Sequence, residues 1–265
     1  MSEFVLPVRK GGLGNQMFQV AAAIVYAEET GREILLPLEQ AQIHNTGLDY
    51  GDSVFREIPT RIDRVIDGTA IEQLKAAGFS LHPGEPGFEP WTVEKLEGNI
   101  LLHGYFQWWP GLAKHEEVIR RTFVSGLSCT VNESWVGLHV RRGDFLKPPF
   151  SDVHYIQTEA YYLAALDKFK GKVVFKIFSD DLEWCKAQRI FQELDQKEFV
   201  EEPNEIRALS LMASCSGGFI CANSTFSWWG AFLGAYKYRS TICVPREWMR
   251  GFDTTELFPR EWILI

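Results

Sequence analysis

The sequence predicts an α/β fold with mainly parallel sheets, because strand-like and helix-like segments alternate along most of its length. Two parallel neighbours need a crossover of helical length between them, and such crossovers are almost always right-handed. The strand-like segments are short apolar runs, as expected for strands buried on both faces of a sheet.

The alternation is clearest in the second half of the chain. There we expect strands at 135–140, 173–178, 199–200, 217–221 and 241–244. The intervening helices are predicted at 155–169, 182–188, 205–214 and 225–236. The first half opens in the same way, with a strand at 4–8, a glycine-rich turn, a helix at 15–29 and a strand at 33–36.

The pattern weakens between residues 40 and 90, where 71–77 is the one predicted helix and the abundant Gly, Pro, Asp and His indicate loops. A loop-rich half beside a regular half fits a variable substrate surface and an ordered cofactor-type domain. We place the boundary near 125–132, which gives an amino-terminal domain of residues 1–130 and a carboxyl-terminal domain of residues 131–265.

Composition narrows the class of protein. The chain has 265 residues, a net charge of −8 and 46% hydrophobic residues, so it can bury a large core but lacks the basic surface of a nucleic-acid-binding protein. Its five cysteines show no C-x-x-C spacing, and we expect them to be reduced. No run of about 18 apolar residues could span a bilayer, and the start MSEFVLPVRK is too polar for a signal peptide. We therefore expect a cytoplasmic protein, with peripheral membrane contact left open.

The segment GLHVRRGDF at 137–145 carries the strongest indication of a binding site. Strand alternation sends His139 and Arg141 to one face and Val140 and Arg142 to the other. The carboxyl edge of a parallel sheet is where ligands bind, and an arginine there offers a fork of donors for phosphate oxygens. The alternative is a structural ion pair, for example between Asp144 and Arg142.

Two strand-to-helix turns could also hold an anion. GGLGNQMFQ at 11–19 places glycines and a helix amino terminus after the first strand, although its spacing matches neither a dinucleotide fingerprint nor a Walker loop. The alternative there is a tight turn with Asn15 as the helix cap. Asn223, Ser224 and Thr225 begin another helix and could cradle a phosphate without a lysine, or could form a simple capping box.

Two further motifs allow more than one interpretation. In FSDD at 178–181, Asp180 and Asp181 could bind Mg²⁺ or accept hydrogen bonds from a nucleobase, but a helix cap at Ser179 or Asp180 is the more frequent role. No His, Cys or Asp cluster has zinc spacing. The aromatic run HGYFQWW at 103–109 could hold a sugar ring or pack in the core.

Taken together, these motifs resemble those of the α-1,2-fucosyltransferases of glycosyltransferase family 11. The matching segments are GGLGNQMFQ at 11–19, HGYFQ at 103–107, HVRRGD at 139–144, FSDD at 178–181 and NSTFSWWGAFL at 223–233. The resemblance implies a GT-B-like pair of Rossmann-type domains, with the GDP-sugar site in the carboxyl-terminal domain and the acceptor on the amino-terminal side. It also implies inverting transfer of L-fucose from GDP-β-L-fucose to the 2-hydroxyl of a terminal galactose in a glycan, with no metal ion and no further cofactor.

The same resemblance assigns roles to residues. Arg141 corresponds to the arginine that neutralises the diphosphate, and His139 lies beside it near the nucleotide. The other donor-binding positions are Asn15 in the amino-terminal domain, Asp180, and the loop residues Asn223, Ser224 and Thr225. The catalytic base is Asp144 or, as an alternative, Asp152, because the motif does not include the glutamate found in related α-1,6 enzymes. No acceptor-binding residue is predicted.

Two other classes of protein compete with this interpretation. A reductase that uses a dinucleotide would need G-x-G-x-x-G and an acidic ribose partner, and the sequence shows neither convincingly. A non-catalytic carbohydrate-binding module would use the aromatic residues but would leave His139, Arg141 and the loop at 223–225 without a role.

Overall fold

The computed structural model of the protein describes residues 2–37, 50–58, 61–62, 68–85 and 87–265. The chain divides into two compact units, Met1–Gly126 and Leu127–Ile265. The predicted loop region between residues 40 and 90 lies partly outside the described residues. Its described part contains a helix over most of the predicted 71–77 segment and two very short strands.

The amino-terminal unit contains a parallel sheet with its first strand in the interior. Its strands are β1 Phe4–Pro7, β2 Glu33–Ile34, β3 Leu36–Pro37, β4 Arg61–Ile62, β5 Ser80–Leu81 and β6 Ile100–Leu102. Four of them form one sheet in the order β2-β1-β6-β5, and β3 pairs with β4 separately. Val5 and Leu6 of β1 and Leu101 of β6 are completely buried, which makes these strands part of the core.

The helices of this unit are α1 Leu13–Thr30, α2 Gly68–Ala76, α3 Trp109–Ala113 and α4 Glu116–Ser125. α1 is buried over nearly all of Leu13 to Tyr26 because that stretch is largely apolar. It ends where Gly31 adopts a left-handed φ of 71°. The sequence prediction missed α3 and α4. α4 buries only Ile119 and Phe123, which is too short an apolar pattern to identify a helix.

The carboxyl-terminal unit is built on a six-stranded parallel sheet. Its strands are β7 Trp135–Val140, β8 Val174–Ser179, β9 Lys197–Phe199, β10 Gly218–Ile220, β11 Thr241–Val244 and β12 Ile263–Leu264. The strand order in this sheet is β12-β11-β10-β7-β8-β9, so β7, the first strand of the unit along the chain, lies in the interior. The chain then adds β8 and β9 on one side of β7, and β10, β11 and β12 on the other side. This is the strand order of a Rossmann-type fold, and its direction reverses between β7 and β10.

The helices of the carboxyl-terminal unit are α5 Phe150–Val153, α6 Glu159–Leu166, α7 Leu182–Ala187, α8 Arg189–Gln192, α9 Glu205–Ser214 and α10 Thr225–Leu233, with 3-10 turns at Gly143–Leu146, Ala235–Tyr238 and Thr255–Leu257. Val136 and Leu138 of β7 belong to the same buried cluster as Tyr162 of α6. Gly137 leaves room for the ring of Phe219, since a Cβ at that position would lie 2.1 Å from Phe219 Cε2.

The helix predicted at 155–169 begins later than expected, at Glu159. Thr158 caps it by accepting a hydrogen bond from the backbone N–H of Tyr161. The residues before the cap pair with another segment instead, because His154 forms an antiparallel bridge with Met249. This tertiary pairing, which no local pattern reveals, removes 155–158 from the helix.

The helix predicted at 225–236 ends early, at Leu233. Gly234 leaves the helical conformation at a point where a Cβ would lie 2.8 Å from the carbonyl oxygen of Ala213 in α9. The close approach of α9 therefore breaks a segment whose composition alone favours a longer helix. Among the described helices, we find none with the length and apolar content that a membrane span requires.

Candidate functional site

Most of the predicted binding residues of the carboxyl-terminal unit follow two neighbouring strands. His139 and Arg141 lie at the end of β7, and Asn223 comes shortly after the end of β10. These two strands are hydrogen-bonded in parallel, and the strand order reverses between them. In open α/β sheets the ligand crevice lies at the carboxyl ends of the strands at that reversal. The sequence motifs are therefore brought together at the expected edge.

Arg141 is held by two carboxylates. Its Nη2 donates to Asp144 Oδ1 at 2.6 Å, and its Nη1 lies 3.2 Å from Asp180 Oδ2. The guanidinium carbon also lies 5.2 Å from the centre of the Phe145 ring. The Arg141 side chain remains 26% exposed. Because a guanidinium carries five N–H donors, these two contacts leave donors for an incoming anion.

Arg142 has different partners from Arg141. Its Nε lies 3.1 Å from Asp181 Oδ2, and its guanidinium stacks 3.9 Å from the centre of the Trp184 ring. The two arginines thus diverge, as strand alternation predicts, although the strand itself ends at Val140. The expected alternative of an Asp144–Arg142 ion pair is wrong, because the 3-10 turn at Gly143–Leu146 directs Asp144 to Arg141 instead.

His139 is buried and neutral. Burial, with a contribution from the charge of Arg141, lowers the pKa of His139 to about 3. Its ring centre lies 6.3 Å from that of Phe226, and its Nδ1 has no hydrogen-bond partner among the described residues. A neutral imidazole with one unsatisfied nitrogen can donate or accept one hydrogen bond without adding charge to the site.

Asn223 is buried and joins three segments of the unit. Its Nδ2 donates to the carbonyl oxygens of Tyr155, at 2.9 Å, and Trp248, at 3.0 Å. Both amide hydrogens are therefore used within the protein. The side chain oxygen Oδ1 is buried and has no partner among the residues that the structure describes. What Asn223 can offer a ligand through its side chain is an acceptor, not a donor.

Ser224 is the N-cap of α10, and Thr225 is its first residue. The Ser224 side chain makes no capping hydrogen bond and is half-buried, so its hydroxyl is available. The first turn of a helix leaves backbone N–H groups without intrahelical partners, and the helix dipole favours an anion there. The loop and helix start at 223–225 therefore combine a hydroxyl, an amide oxygen and a helix amino terminus.

The two aspartates after β8 both contact residues of the turn at the end of β7. Asp180 Oδ1 accepts from the backbone N–H of Arg142 at 2.9 Å, while Oδ2 faces Arg141. The helix cap is Asp181, which accepts from Trp184 N–H at 3.2 Å, so the predicted cap at Ser179 or Asp180 is wrong. Within the described ranges, no group of three His, Cys, Asp or Glu side chains is arranged to hold a metal ion.

The alternative base candidate, Asp152, lies on an element that packs against the 3-10 turn of Asp144. It lies on the short helix α5 and is exposed. Asp144, by contrast, is within hydrogen-bond distance of Arg141.

In the amino-terminal unit, the glycine-rich turn and the HGYFQ motif meet at Asn15. Gln107 is buried and its Nε2 donates to Asn15 Oδ1 at 3.1 Å. α1 begins at Leu13 with Gly12 as its N-cap, so the expectation that Asn15 caps the helix is wrong. Gly11 has a left-handed φ of 78°, and a Cβ there would lie 2.6 Å from Asn15 Nδ2. The glycine is required by both conformation and space.

The aromatic run at 103–109 is mainly a packing element. Phe106 is completely buried with a φ of 56°, and Trp109 is also buried. Tyr105 is the exception, since it is 36% exposed and has Lys10 Nζ 4.7 Å from its ring centre. The Lys10–Tyr105 contact was not predicted, because nothing in the sequence pairs a lysine in one loop with an aromatic ring in another.

Comparison with known proteins places these motifs in a family. The sequence profile of Glycosyl transferase family 11 matches residues 100–265. An α-1,2-colitosyltransferase of Escherichia coli is 30% identical, with 96% of each chain covered. A galactoside α-(1,2)-fucosyltransferase 1 of Saimiri sciureus is 27% identical over 96% of this chain and 72% of the relative.

Among solved structures, the NodZ α-1,6-fucosyltransferase soaked with GDP-fucose is similar in fold. The TM-score is 0.50 at 15% identity, with 88% of this chain and 93% of the other covered. This likeness and the two parallel-sheet units confirm the predicted α/β, GT-B-like fold.

Proposed function

The chain belongs to glycosyltransferase family 11, and from that membership we propose that it transfers L-fucose from GDP-β-L-fucose to the 2-hydroxyl of a terminal galactose in a glycan. The observation that carries the proposal is Arg141, a partly exposed guanidinium at the reversal point of a Rossmann-type sheet. Relatives named as galactoside α-(1,2)-fucosyltransferases support the linkage and the acceptor class.

The donor diphosphate is proposed to bind between Arg141 and the start of α10. When the bond to fucose breaks, negative charge develops on the diphosphate, and donors fixed in advance stabilise that charge. Arg141 supplies a planar fork of N–H donors. The start of α10, at Ser224 and Thr225, supplies backbone N–H groups together with hydroxyl groups. These groups can perform the task that a metal ion performs in other transferases, so we propose transfer without a metal or further cofactor.

The remaining donor contacts are assigned by the same reasoning. His139, uncharged and with a free ring nitrogen, suits a hydrogen bond to the nucleotide. The Asn223 side chain suits a donor group of the ligand, because only its oxygen is unpaired. We also propose that Asn15 of the amino-terminal unit contacts the donor, and that residues 1–130 bind the acceptor while residues 131–265 bind the GDP-sugar.

The acceptor hydroxyl must lose its proton as it attacks the fucose carbon opposite the departing GDP. We propose Asp144 as the base, because a carboxylate next to the diphosphate-binding arginine is suitably placed to accept that proton. Asp152 on α5 remains the alternative. The two differ in their surroundings, since Asp144 is hydrogen-bonded to Arg141 and Asp152 is exposed.

GDP-colitose is a second candidate donor. The relative that is 30% identical is named a colitosyltransferase, and colitose is fucose without its 3-hydroxyl. An enzyme that hydrogen-bonds the 3-hydroxyl discriminates strongly against a donor that lacks it, because its own polar group is then left unpaired. The kcat/KM ratio of GDP-fucose to GDP-colitose therefore identifies the natural sugar.

The test of the proposed function has two stages. GDP should raise the melting temperature of the protein in a concentration-dependent way, whereas NADPH should not. Incubation with GDP-fucose and a panel of β1-3 and β1-4 galactosides should then give a product whose linkage NMR identifies as α-1,2. Binding of NADPH without GDP would indicate a reductase, and glycan binding without transfer would indicate a carbohydrate-binding module.

A further inference from the structure

The turn after β7 is built around the carboxylate of Asp180. If Arg141 binds the donor diphosphate, as the proposed function requires, Asp180 has a role in that binding. We propose that Asp180 is a positioning residue that fixes the Arg141 guanidinium for the donor diphosphate. Asp180 then acts on the donor through Arg141 and does not contact it.

Each oxygen of Asp180 has its own partner in the turn. Oδ1 accepts from the backbone N–H of Arg142 at 2.9 Å, and Oδ2 lies 3.2 Å from Arg141 Nη1. The carboxylate therefore fixes the backbone and the side chain of consecutive residues. A long arginine side chain loses much rotational freedom when it is held in one orientation, and a ligand that finds it already held does not have to supply that ordering.

Gly143 shows how closely the turn fits Asp180. A Cβ at Gly143 would lie 2.4 Å from Asp180 Oδ2 and 3.1 Å from its Cγ. The φ of Gly143 is not in the left-handed region, so the glycine is required for space and not for conformation. The backbone of the turn thus passes directly against the oxygen that faces Arg141.

These contacts account for the orientation of Asp180. Both carboxylate oxygens face protein donors, so the turn itself sets the orientation of this side chain without a ligand. Asp144 differs, because Arg141 is the one hydrogen-bond partner that its carboxylate has among the described residues. Asp180 is a fixed part of the turn, while Asp144 makes a single contact from a 3-10 helix.

The substitution Asp180→Asn tests whether the position that the carboxylate gives to Arg141, or only its negative charge, affects GDP binding. An amide has one acceptor oxygen, so either Arg141 or the Arg142 N–H must face an NH₂ group in the variant. Loss of a negative charge beside an anion site would by itself strengthen GDP binding. If Asp180 positions Arg141, the opposite result is expected, namely GDP affinity about tenfold weaker by titration calorimetry, because charge-assisted hydrogen bonds are lost.

Asp181→Asn is the matched control. It removes the neighbouring carboxylate, which contacts Arg142 and caps α7. We expect a slightly lower melting temperature, because the ion pair with Arg142 and the negative charge at the helix start are lost, but GDP affinity within about twofold of the wild type. Equal loss of GDP affinity in both variants would mean general damage to the loop and would overturn the proposal.

A double-mutant cycle tests whether Asp180 acts through Arg141. GDP affinity is measured for the wild type, Asp180→Asn, Arg141→Ala and the double variant, up to millimolar GDP by saturation-transfer NMR. The proposal predicts that Asp180→Asn costs no further affinity once Arg141 is absent. Additive losses of GDP affinity would overturn the proposal by showing that Asp180 contacts the nucleotide itself. Wild-type GDP affinity in Asp180→Asn would overturn it by showing that Asp180 does not contribute to GDP binding.

Gly143→Ala provides a second variant if Asp180→Asn does not fold. It keeps the carboxylate but displaces it from Arg141, so it should weaken GDP binding in the same direction. If the wild type itself shows no affinity for GDP, the proposed function fails, which is a different outcome from failure of the positioning role.

Discussion

Replacing Asp144 by asparagine should strengthen GDP binding while it slows transfer. Asp144 lies 2.6 Å from Arg141 Nη2, so a diphosphate oxygen on the same guanidinium would lie roughly 5 Å from the carboxylate. Measured interactions between charges at exposed sites reach about 1 kcal/mol, and we take a repulsion of that size for this partly exposed pair. An asparagine oxygen can still accept from Arg141, so the substitution removes the repulsion and keeps the contact.

The expected gain in GDP affinity is therefore about fivefold at low salt and smaller at high salt. If Asp144 is also the base, kcat with GDP-fucose should fall on the order of 10²-fold or more in the same variant. Titration calorimetry with GDP and steady-state kinetics measure the two effects independently. Tighter GDP binding with slower turnover is a combination that neither a purely structural ion pair nor a purely local loss of stability produces.

The control is Asp152→Asn, which makes the same change of charge on exposed helix α5. It should leave GDP affinity and turnover close to the wild type. The reasoning on Asp144 is refuted if Asp144→Asn binds GDP no better and retains most of its kcat. If turnover is instead lost in Asp152→Asn, the base is Asp152.

Other consequences of the structure can be measured directly. Arg141→Lys should reduce kcat/KM for GDP-fucose by at least about tenfold, since lysine keeps the charge but not the planar fork; unchanged kinetics would contradict the diphosphate assignment. Transfer should survive excess EDTA, and loss of activity restored by Mg²⁺ or Mn²⁺ would contradict the metal-free mechanism. Gly137→Ala should lower the free energy of unfolding by about 1–3 kcal/mol, because its Cβ would meet the ring of Phe219, whereas Gly68→Ala, with nothing within 4 Å, should be neutral or stabilising in denaturant titrations. For His139, burial holds the folded pKa at about 3, below the ordinary 6.5, so the unfolded state binds more protons between these values and the free energy of unfolding should fall as pH drops through that window. His139→Gln should flatten that slope in urea titrations at a series of pH values.

The fold and the location of the site were predictable because they depend on local patterns. Apolar strands alternating with helices specify a parallel sheet, and parallel strands share one carboxyl edge. His139 and Arg141 after one strand and Asn223 after another therefore had to lie near each other once β7 and β10 were neighbours. The prediction required only the order of the elements, not any particular side-chain contact.

The partners of those residues were not predictable. Asp180 is 38 residues from Arg142 in sequence, and Asn223 binds carbonyl groups of segments 68 and 25 residues away. Such contacts depend on the tertiary arrangement of loops, for which hydropathy gives no signal. The motif identified Asn223 as a polar loop residue but could not show that its amide hydrogens are used within the protein.

The charges around Arg141 indicate how an acidic protein can bind an anion. Arg141 and Arg142 are faced by three carboxylates, from Asp144, Asp180 and Asp181, so the cluster carries no excess positive charge. Attraction by net charge cannot then be the basis of the proposed diphosphate binding, and we infer that the directed N–H groups of a fixed guanidinium and a helix terminus provide it. It follows that GDP affinity should respond more to substitutions that move Arg141 than to those that only change the charge beside it.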